Sequence, residues 1–156
     1  MTVAAAQSAP GLRATRVLVV DDEQPIRLVT EAALQDHGYR VLTAAEGTEA
    51  SALFATHRSA VKTVVIDLDM PEMDGQTAIA ILQQLNPDVP IIVMSGKMEL
   101  QSKFLESSQK VYAALTKPFT IEQLLHLLDE ILHSNSSGEK PPRAPGGVMS
   151  CVMSLL

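Results

Sequence analysis

An apolar run that ends in a carboxylate and a turn constrains this chain more than any other feature. Residues 64–75 read Val-Val-Ile-Asp-Leu-Asp-Met-Pro-Glu-Met-Asp-Gly, so the run ends at Asp67 and turn residues follow at once. Short apolar runs bounded by turn residues are typical of parallel strands that are covered on both faces. Open α/β sheets bind their ligands at the carboxyl ends of such strands. The sequence therefore predicts that Asp67 is presented at the edge of a buried parallel sheet.

The rest of the chain alternates apolar runs with amphipathic segments, which predicts a βα unit repeated five times. Short connections favour an α/β fold with a doubly wound five-stranded parallel sheet, helices on both faces and right-handed crossovers. Gly38 is expected to end the first helix in the left-handed conformation. The predicted strands are 16–20, 39–44, 61–66, 90–94 and 110–115, and the predicted helices are 23–37, 46–58, 76–85, 98–109 and 121–133.

Composition limits the class of protein. A chain of 156 residues that is 46% hydrophobic supports one packed domain, and a net charge of −6 argues against direct binding to nucleic acid. The single cysteine excludes an internal disulfide, and no stretch suits a signal peptide or a membrane span. We expect a soluble cytoplasmic protein with a flexible leader (1–15), one domain (16–133) and a flexible Ser-, Pro- and Gly-rich tail with an apolar end (134–156).

Several predicted strands end in polar side chains, and parallel topology brings these ends to one edge of the sheet. These side chains are Asp21 and Asp22 after the first strand, Asp67 after the third, Ser95 after the fourth and Lys117 after the fifth. Clustered carboxylates would repel each other without a cation, and their oxygens favour a hard ion such as Mg²⁺. A carboxylate beside Mg²⁺, with an ammonium and a hydroxyl in reach, has the parts to accept a phosphoryl group.

Four motifs together resemble the receiver domain of bacterial two-component response regulators. They are Val-Leu-Val-Val-Asp-Asp, the 64–75 segment, Val-Met-Ser-Gly and Thr-Lys-Pro-Phe, and the match covers about residues 15–133. The resemblance implies the flavodoxin-like strand order 2-1-3-4-5. It also implies a signalling module, not an enzyme, in which Asp67 accepts a phosphoryl group from a sensor histidine kinase or a phosphotransfer protein.

The same resemblance assigns the remaining roles. Mg²⁺ would be bound by Asp67 and Asp22 directly, by Asp21 through water, and by the backbone carbonyl of Asp69. Lys117 would contact the phosphoryl oxygens, and Ser95 would supply the switch hydroxyl that moves to bind them. The Lys117–Pro118 peptide bond would be cis.

Two pairs of residues near the site carry further expectations. Asp69 and Lys97 lie where side chains influence hydrolysis of the phosphoryl group in the family, and we hypothesise an ion pair between them over the pocket. The alternative is two solvated charges that contribute little. The family usually has an aromatic residue where this chain has Ala114, and strand alternation would place Tyr112 on the same side, as a substitute.

Two helices have surplus apolar residues. The apolar residues of the first helix are Ile26, Leu28, Val29, Ala33 and Leu34, which is more than a single buried stripe can hold. The surplus residues would form a docking surface for the phosphodonor. The alternative is ordinary core packing with one exposed leucine. On the last helix a single stripe holds Ile121, Leu124, Leu125, Leu128, Ile131 and Leu132. Burial against the sheet explains all of this stripe, but Leu127 falls outside it, which would allow a partner groove or a weak homodimer through this helix face.

Three functions are compatible with these observations. The first is a receiver with no output domain in this chain, which acts through an output protein. The second is a haloacid-dehalogenase-type phosphatase, because Asp67-Leu68-Asp69 also fits the Asp-x-Asp motif of that class. That motif normally lies on the first strand, and here Asp21 and Asp22 precede it. The third is a degenerate receiver that binds partners without phosphorylation, which the Ala114 departure favours.

Overall fold

The computed structural model describes residues 15–69, 75–97 and 111–136. Within these ranges the strands are β1 (Arg16–Val20), β2 (Arg40–Ala44), β3 (Val61–Asp67), β4 (Ile91–Ser95) and β5 (Ala113–Thr116), and the helices are α1 (Gln24–Asp36), α2 (Gly47–Thr56), α3 (Gly75–Leu85) and α4 (Ile121–Ser136). From β1 to β4 the described strands and helices alternate, as the sequence predicts, and a helix follows β5.

All strand pairs are parallel, and the order across the sheet is β2-β1-β3-β4-β5. The predicted doubly wound α/β fold and its strand order are therefore confirmed. Val20 pairs with Ile66, Asp67 with Met94, and Ser95 with Thr116, so the strands end nearly level. This register brings the loops that follow β1, β3, β4 and β5 to one edge of the sheet.

Buried side chains cover both faces of the sheet, which explains why its strands are continuously apolar. Alternation along β3 sends Ile66 into a cluster with Phe54 of α2, here called the α2–α3 cluster. It sends Val65 into a second cluster with Leu34 of α1 and Leu124 of α4, the α1–α4 cluster. Helices on both faces therefore bury the strands and leave their carboxyl ends as the accessible edge.

The predicted boundaries agree within a few residues, and α4 continues past the predicted end at 133 to Ser136. Gly38 has a φ of 93°, which confirms the left-handed stop after α1. The predicted helix over 98–109, the leader up to residue 14 and the tail from residue 137 lie outside the described residues. In the part that the structure describes, no helix has the length and apolar character needed to cross a membrane.

Tyr112 lies on the opposite face of the sheet from Ala114, so the expected placement on the same side is wrong. Strand β5 begins only at Ala113, and strict alternation does not extend back to Tyr112. Ala114 belongs to the α2–α3 cluster and Tyr112 to the α1–α4 cluster. The Tyr112 hydroxyl donates to Glu130 Oε2 of α4 at 3.0 Å, and burial together with this bond raises the pKa of Tyr112 to about 12. Tyr112 therefore links the segment before β5 to α4 through Glu130 and does not replace the aromatic residue that is missing at position 114.

Leu127 is also placed differently from the expectation, because it is buried in the α1–α4 cluster and only 4% exposed. Helix α4 contacts α1 as well as the sheet, so it buries a wider stripe than sheet packing alone requires. Leu125 and Leu132, which the stripe included, are only partly buried. The surplus residue that suggested a dimer face is thus part of the core.

We expect Leu127→Ala to lower the free energy of unfolding by about 2–5 kcal/mol, because it leaves a cavity in a packed cluster. Leu28→Ala is the matched control: Leu28 is 52% exposed, and its truncation should change stability by no more than about 0.5 kcal/mol. Urea unfolding followed by circular dichroism measures both variants. Equal losses would contradict the burial of Leu127.

Candidate functional site

The structure brings the predicted site residues together at the carboxyl edge of the sheet. Carboxylate oxygens of Asp21, Asp22 and Asp67 all lie within 4.8 Å of one another. Asp21 and Asp67 are buried, whereas Asp22 is exposed. Three carboxylates at this separation form a pocket that a single divalent cation can bridge, and Asp22 gives it an open side toward water.

Lys117 supplies the positive charge in this pocket. Its Nζ donates to Asp67 Oδ2 at 2.8 Å and lies 3.8 Å from both Asp21 Oδ2 and Glu23 Oε1. Burial alone would lower the pKa of Lys117, but the hydrogen bond and charge of Asp67, with the charges of Asp21 and Glu23, raise it overall. The ammonium therefore stays protonated. The Lys117–Pro118 peptide bond is cis, as the resemblance implied.

Both oxygens of the Asp67 carboxylate have a donor. Oδ2 accepts from Lys117, and Oδ1 accepts the backbone N–H of Asp69 at 2.8 Å. The side chain is 1% exposed and comes from the last residue of β3. Because the strand and two hydrogen bonds fix its direction, Asp67 is held at the pocket floor in one orientation.

Asp21 has one carboxylate oxygen without a hydrogen bond. Its Oδ1 accepts the backbone N–H of Glu23 at 2.9 Å, but its buried Oδ2 has no hydrogen-bond donor. Burial raises the pKa of Asp21 to about 6, and the backbone hydrogen bond and Lys117 only partly oppose that rise. A buried carboxylate oxygen that lacks a donor and lies beside two more carboxylates is suited to a hard cation or one of its waters. These residues fit Mg²⁺.

Two residues of the site were missed by sequence reasoning. Glu23 places its carboxylate near Lys117, and Arg27 donates from Nη1 to the backbone carbonyl of Asp21 at 2.6 Å. Arg27 lies one helical turn after Glu23, so the two residues share the face of α1 that meets this edge. The sequence signal that could have identified Glu23 and Arg27 was their position shortly after the Asp21-Asp22 motif.

Ser95 and Asp69 are joined across the pocket. The buried Ser95 Oγ donates to Asp69 Oδ1 at 2.9 Å and accepts the Lys97 N–H at 2.9 Å, while the Gly96 N–H donates to Asp69 Oδ2 at 3.0 Å. The Lys97 side chain is exposed, and within the ranges 15–69, 75–97 and 111–136 it forms no ion pair with Asp69. The hypothesised ion pair is therefore not formed, because backbone and hydroxyl donors occupy the Asp69 carboxylate.

In buffer that contains a chelator, we expect Asp21→Asn to raise the free energy of unfolding at pH 8 by about 1–3 kcal/mol. The unfolded chain releases the Asp21 proton near pH 3.8, and the folded chain keeps it until about pH 6. The penalty for ionising Asp21 therefore develops between these values and is complete above them. The gain from the substitution should shrink as the pH falls from 7 to 4.

Asp22→Asn is the matched control for this experiment, because it removes the same charge from an exposed neighbour. Its effect on stability should be smaller, because Asp22 is not buried. Chemical denaturation across this pH range measures both. A pH-independent gain for Asp21→Asn would contradict the raised pKa.

Comparisons with known proteins agree with this geometry. Residues 17–129, most of the chain, match the family described as "response regulator receiver domain". The chain is 38% identical over 117 residues to the sensor kinase CckA of Brucella abortus. This alignment covers 74% of the chain and 12% of that protein. It is 32% identical over 126 residues to the response regulator MprA of a Mycobacterium species. This alignment covers 81% of the chain and 54% of that protein.

Among solved structures, the chemotaxis protein CheY4 of Vibrio cholerae superposes with a TM-score of 0.65 at 31% sequence identity, over 74% of this chain and 96% of that one. The chain thus spans about an eighth of the first curated relative and about half of the second. The family match over residues 17–129 includes Asp21, Asp22, Asp67 and Lys117.

Proposed function

The chain belongs to the response regulator receiver domain family, and from this premise we propose that it is an Mg²⁺-dependent phosphoacceptor that switches a protein-binding surface. It is a receiver domain of phosphorelay signalling, and the family binds Mg²⁺ at an acidic pocket. One observation carries the finer proposal. Asp67 is buried at the pocket floor, ion-paired to Lys117 at 2.8 Å and within 4.8 Å of two further carboxylates.

In this proposal the nucleophile is a carboxylate oxygen of Asp67. It attacks the phosphorus of a phosphohistidine, the P–N bond breaks, and the imidazole leaves with the electron pair. Asp22, Asp67 and the backbone carbonyl of Asp69 would hold Mg²⁺, with Asp21 acting through water. The bound ion supplies positive charge to the transferring oxygens. Lys117 would exchange its contact with Asp67 Oδ2 for a phosphoryl oxygen and offset the added negative charge.

The switch would follow from this change in charge. A phosphoryl group adds about −1.5 to −2 charges and strong acceptor oxygens, and the Ser95 hydroxyl would turn to donate to one of them. Ala114 occupies the place of the family's usual aromatic, so a rotamer at that position would not report this movement. The backbone bond from the Lys117 N–H to the Ser95 carbonyl, 3.0 Å long, links the switch residue to the β5 loop instead.

The phosphodonor would dock on the exposed apolar side of α1 that borders the pocket, called here the α1 surface and formed by Ile26 and Val29. These side chains are 36% and 69% exposed. Ile26 and Val29 also line an apolar groove of about 530 Å³ that extends to Lys117 and Phe119. A histidine kinase or phosphotransfer helix on this surface would therefore lie directly beside the pocket, with its phosphohistidine near Asp67.

We expect acetyl phosphate with Mg²⁺ to add one phosphoryl group to the wild-type chain, as intact mass spectrometry would show. Asp67→Asn should abolish the mass gain, because an amide nitrogen is not a nucleophile here, and a chelator should abolish it in the wild type. Asp88→Asn is the matched control, since Asp88 is exposed at the opposite edge of the sheet. Labelling that survives Asp67→Asn would refute the assigned acceptor.

The phosphatase alternative gives a different result in the same assay. Turnover of many equivalents of a phosphomonoester such as p-nitrophenyl phosphate would support it. A single, Mg²⁺-dependent modification with no such turnover supports the receiver.

We expect Val29→Asp to slow phosphotransfer from a histidine kinase that phosphorylates the wild-type chain by about tenfold or more, because a charge would be buried in the docked complex. Labelling by acetyl phosphate, which needs no docking, should be unchanged. Ala55→Asp on α2 is the control, because Ala55 is exposed on the other face of the sheet. Equal rates for Val29→Asp and Ala55→Asp with the kinase would contradict docking at the α1 surface.

A further inference from the structure

Asp69 forms two hydrogen bonds across the pocket to the loop after β4, here called the Asp69 bridge. Its Oδ1 accepts from Ser95 Oγ at 2.9 Å, and its Oδ2 accepts from the Gly96 N–H at 3.0 Å. The residues that it joins are 26 and 27 positions away in sequence. Each bond involves a carboxylate and is therefore stronger than a bond between neutral groups.

The Ser95 hydroxyl has one proton to donate, and the Asp69 bridge holds it. A weaker alternative acceptor, the Lys97 carbonyl, lies 3.3 Å from Ser95 Oγ, compared with 2.9 Å for the charged Asp69 oxygen. The Lys97 N–H donates to the same Ser95 oxygen at 2.9 Å, which further fixes the orientation of the hydroxyl. A proton directed at Asp69 is not directed at a phosphoryl oxygen on Asp67.

We propose that Asp69 is a positioning residue that holds Ser95 in the unphosphorylated arrangement, so that switching requires the Asp69 bridge to break. This inference rests on the proposed function, because it assigns the phosphoryl group on Asp67 as the competing acceptor. The competition is one between acceptors for a single proton. Asp69 carries one negative charge, and a phosphoryl group carries about 1.5 to 2 together with more acceptor oxygens.

The position of Asp69 makes this competition reversible. Its side chain is only partly buried, so a carboxylate released by Ser95 and Gly96 can be hydrated. Its backbone N–H donates to Asp67 Oδ1 at 2.8 Å, so a change at the Asp67 carboxylate reaches Asp69 through one hydrogen bond.

The test uses beryllofluoride with Mg²⁺, a mimic of a phosphoryl group on a carboxylate, and measures its dissociation constant by calorimetry. We expect Asp69→Ala to bind beryllofluoride about tenfold more tightly than the wild type, since a charge-assisted bond no longer has to break. Unchanged or weaker binding would overturn the proposal.

A double-mutant cycle separates this role from a general effect of charge. In a Ser95→Ala background the hydroxyl is absent, so Asp69→Ala should change the dissociation constant by less than about twofold. Tightening of the same size in both backgrounds would mean that Asp69 acts through repulsion in the pocket, and it would overturn the proposal.

Amide hydrogen exchange of Gly96, followed by NMR, reports the bridge without any phosphoryl chemistry. The Gly96 N–H should exchange at least severalfold faster in folded Asp69→Ala than in the wild type. Identical rates would overturn the bridge itself. Loss of beryllofluoride binding in Asp67→Asn is the separate requirement of the proposed function. If Asp67→Asn still bound beryllofluoride, the proposed function would fail while the Gly96 exchange result would still stand. Failure of the proposed function and failure of the Asp69 bridge are therefore distinguishable.

Discussion

The burial of like charges at one edge of a parallel sheet determines most of what this protein can do. Carboxylate oxygens of Asp21, Asp22 and Asp67 lie within 4.8 Å of one another, and Lys117 pairs with Asp21 and Asp67. When all four groups are ionised they leave two uncompensated negative charges in a partly buried pocket, which opposes folding. Burial of the Asp21 carboxylate is the main cause of its raised pKa, and the negative charge of Asp67 adds to the rise. A divalent cation bound among these carboxylates would offset the uncompensated charge.

The remainder of the molecule provides the rigidity that this cluster needs. Two apolar clusters cover the sheet on both faces, so the strands are held from both sides and end in register. Strand pairing therefore sets the relative positions of Asp67, Ser95 and Lys117 before any side chain of the site makes a bond.

The sequence predicted the features that depend on period and topology. Strand order and the convergence of Asp21, Asp22, Asp67 and Lys117 follow from alternating βα units with short connections, whatever the detailed packing. Tyr112 was placed on the wrong face because β5 begins at Ala113, so the strand alternation that sets the face of Ala114 does not extend back to Tyr112. Leu127 was misplaced because the burial of α4 depends on α1 as well as on the sheet. No sequence period records that second contact.

Asp69 shows a different limit of sequence reasoning. Its hydrogen-bond partners depend on the relative free energies of competing interactions, which sequence spacing does not give. An ion pair with exposed Lys97 would be worth about 0–1 kcal/mol and would require ordering of a long side chain. Ser95 and Gly96 offer donors that the β4 backbone already fixes, at 2.9 and 3.0 Å, so almost no further ordering is needed. The carboxylate therefore takes the preordered donors and leaves the lysine in solvent. The same preference makes Asp69 a competitor for the hydroxyl that a phosphoryl group would need.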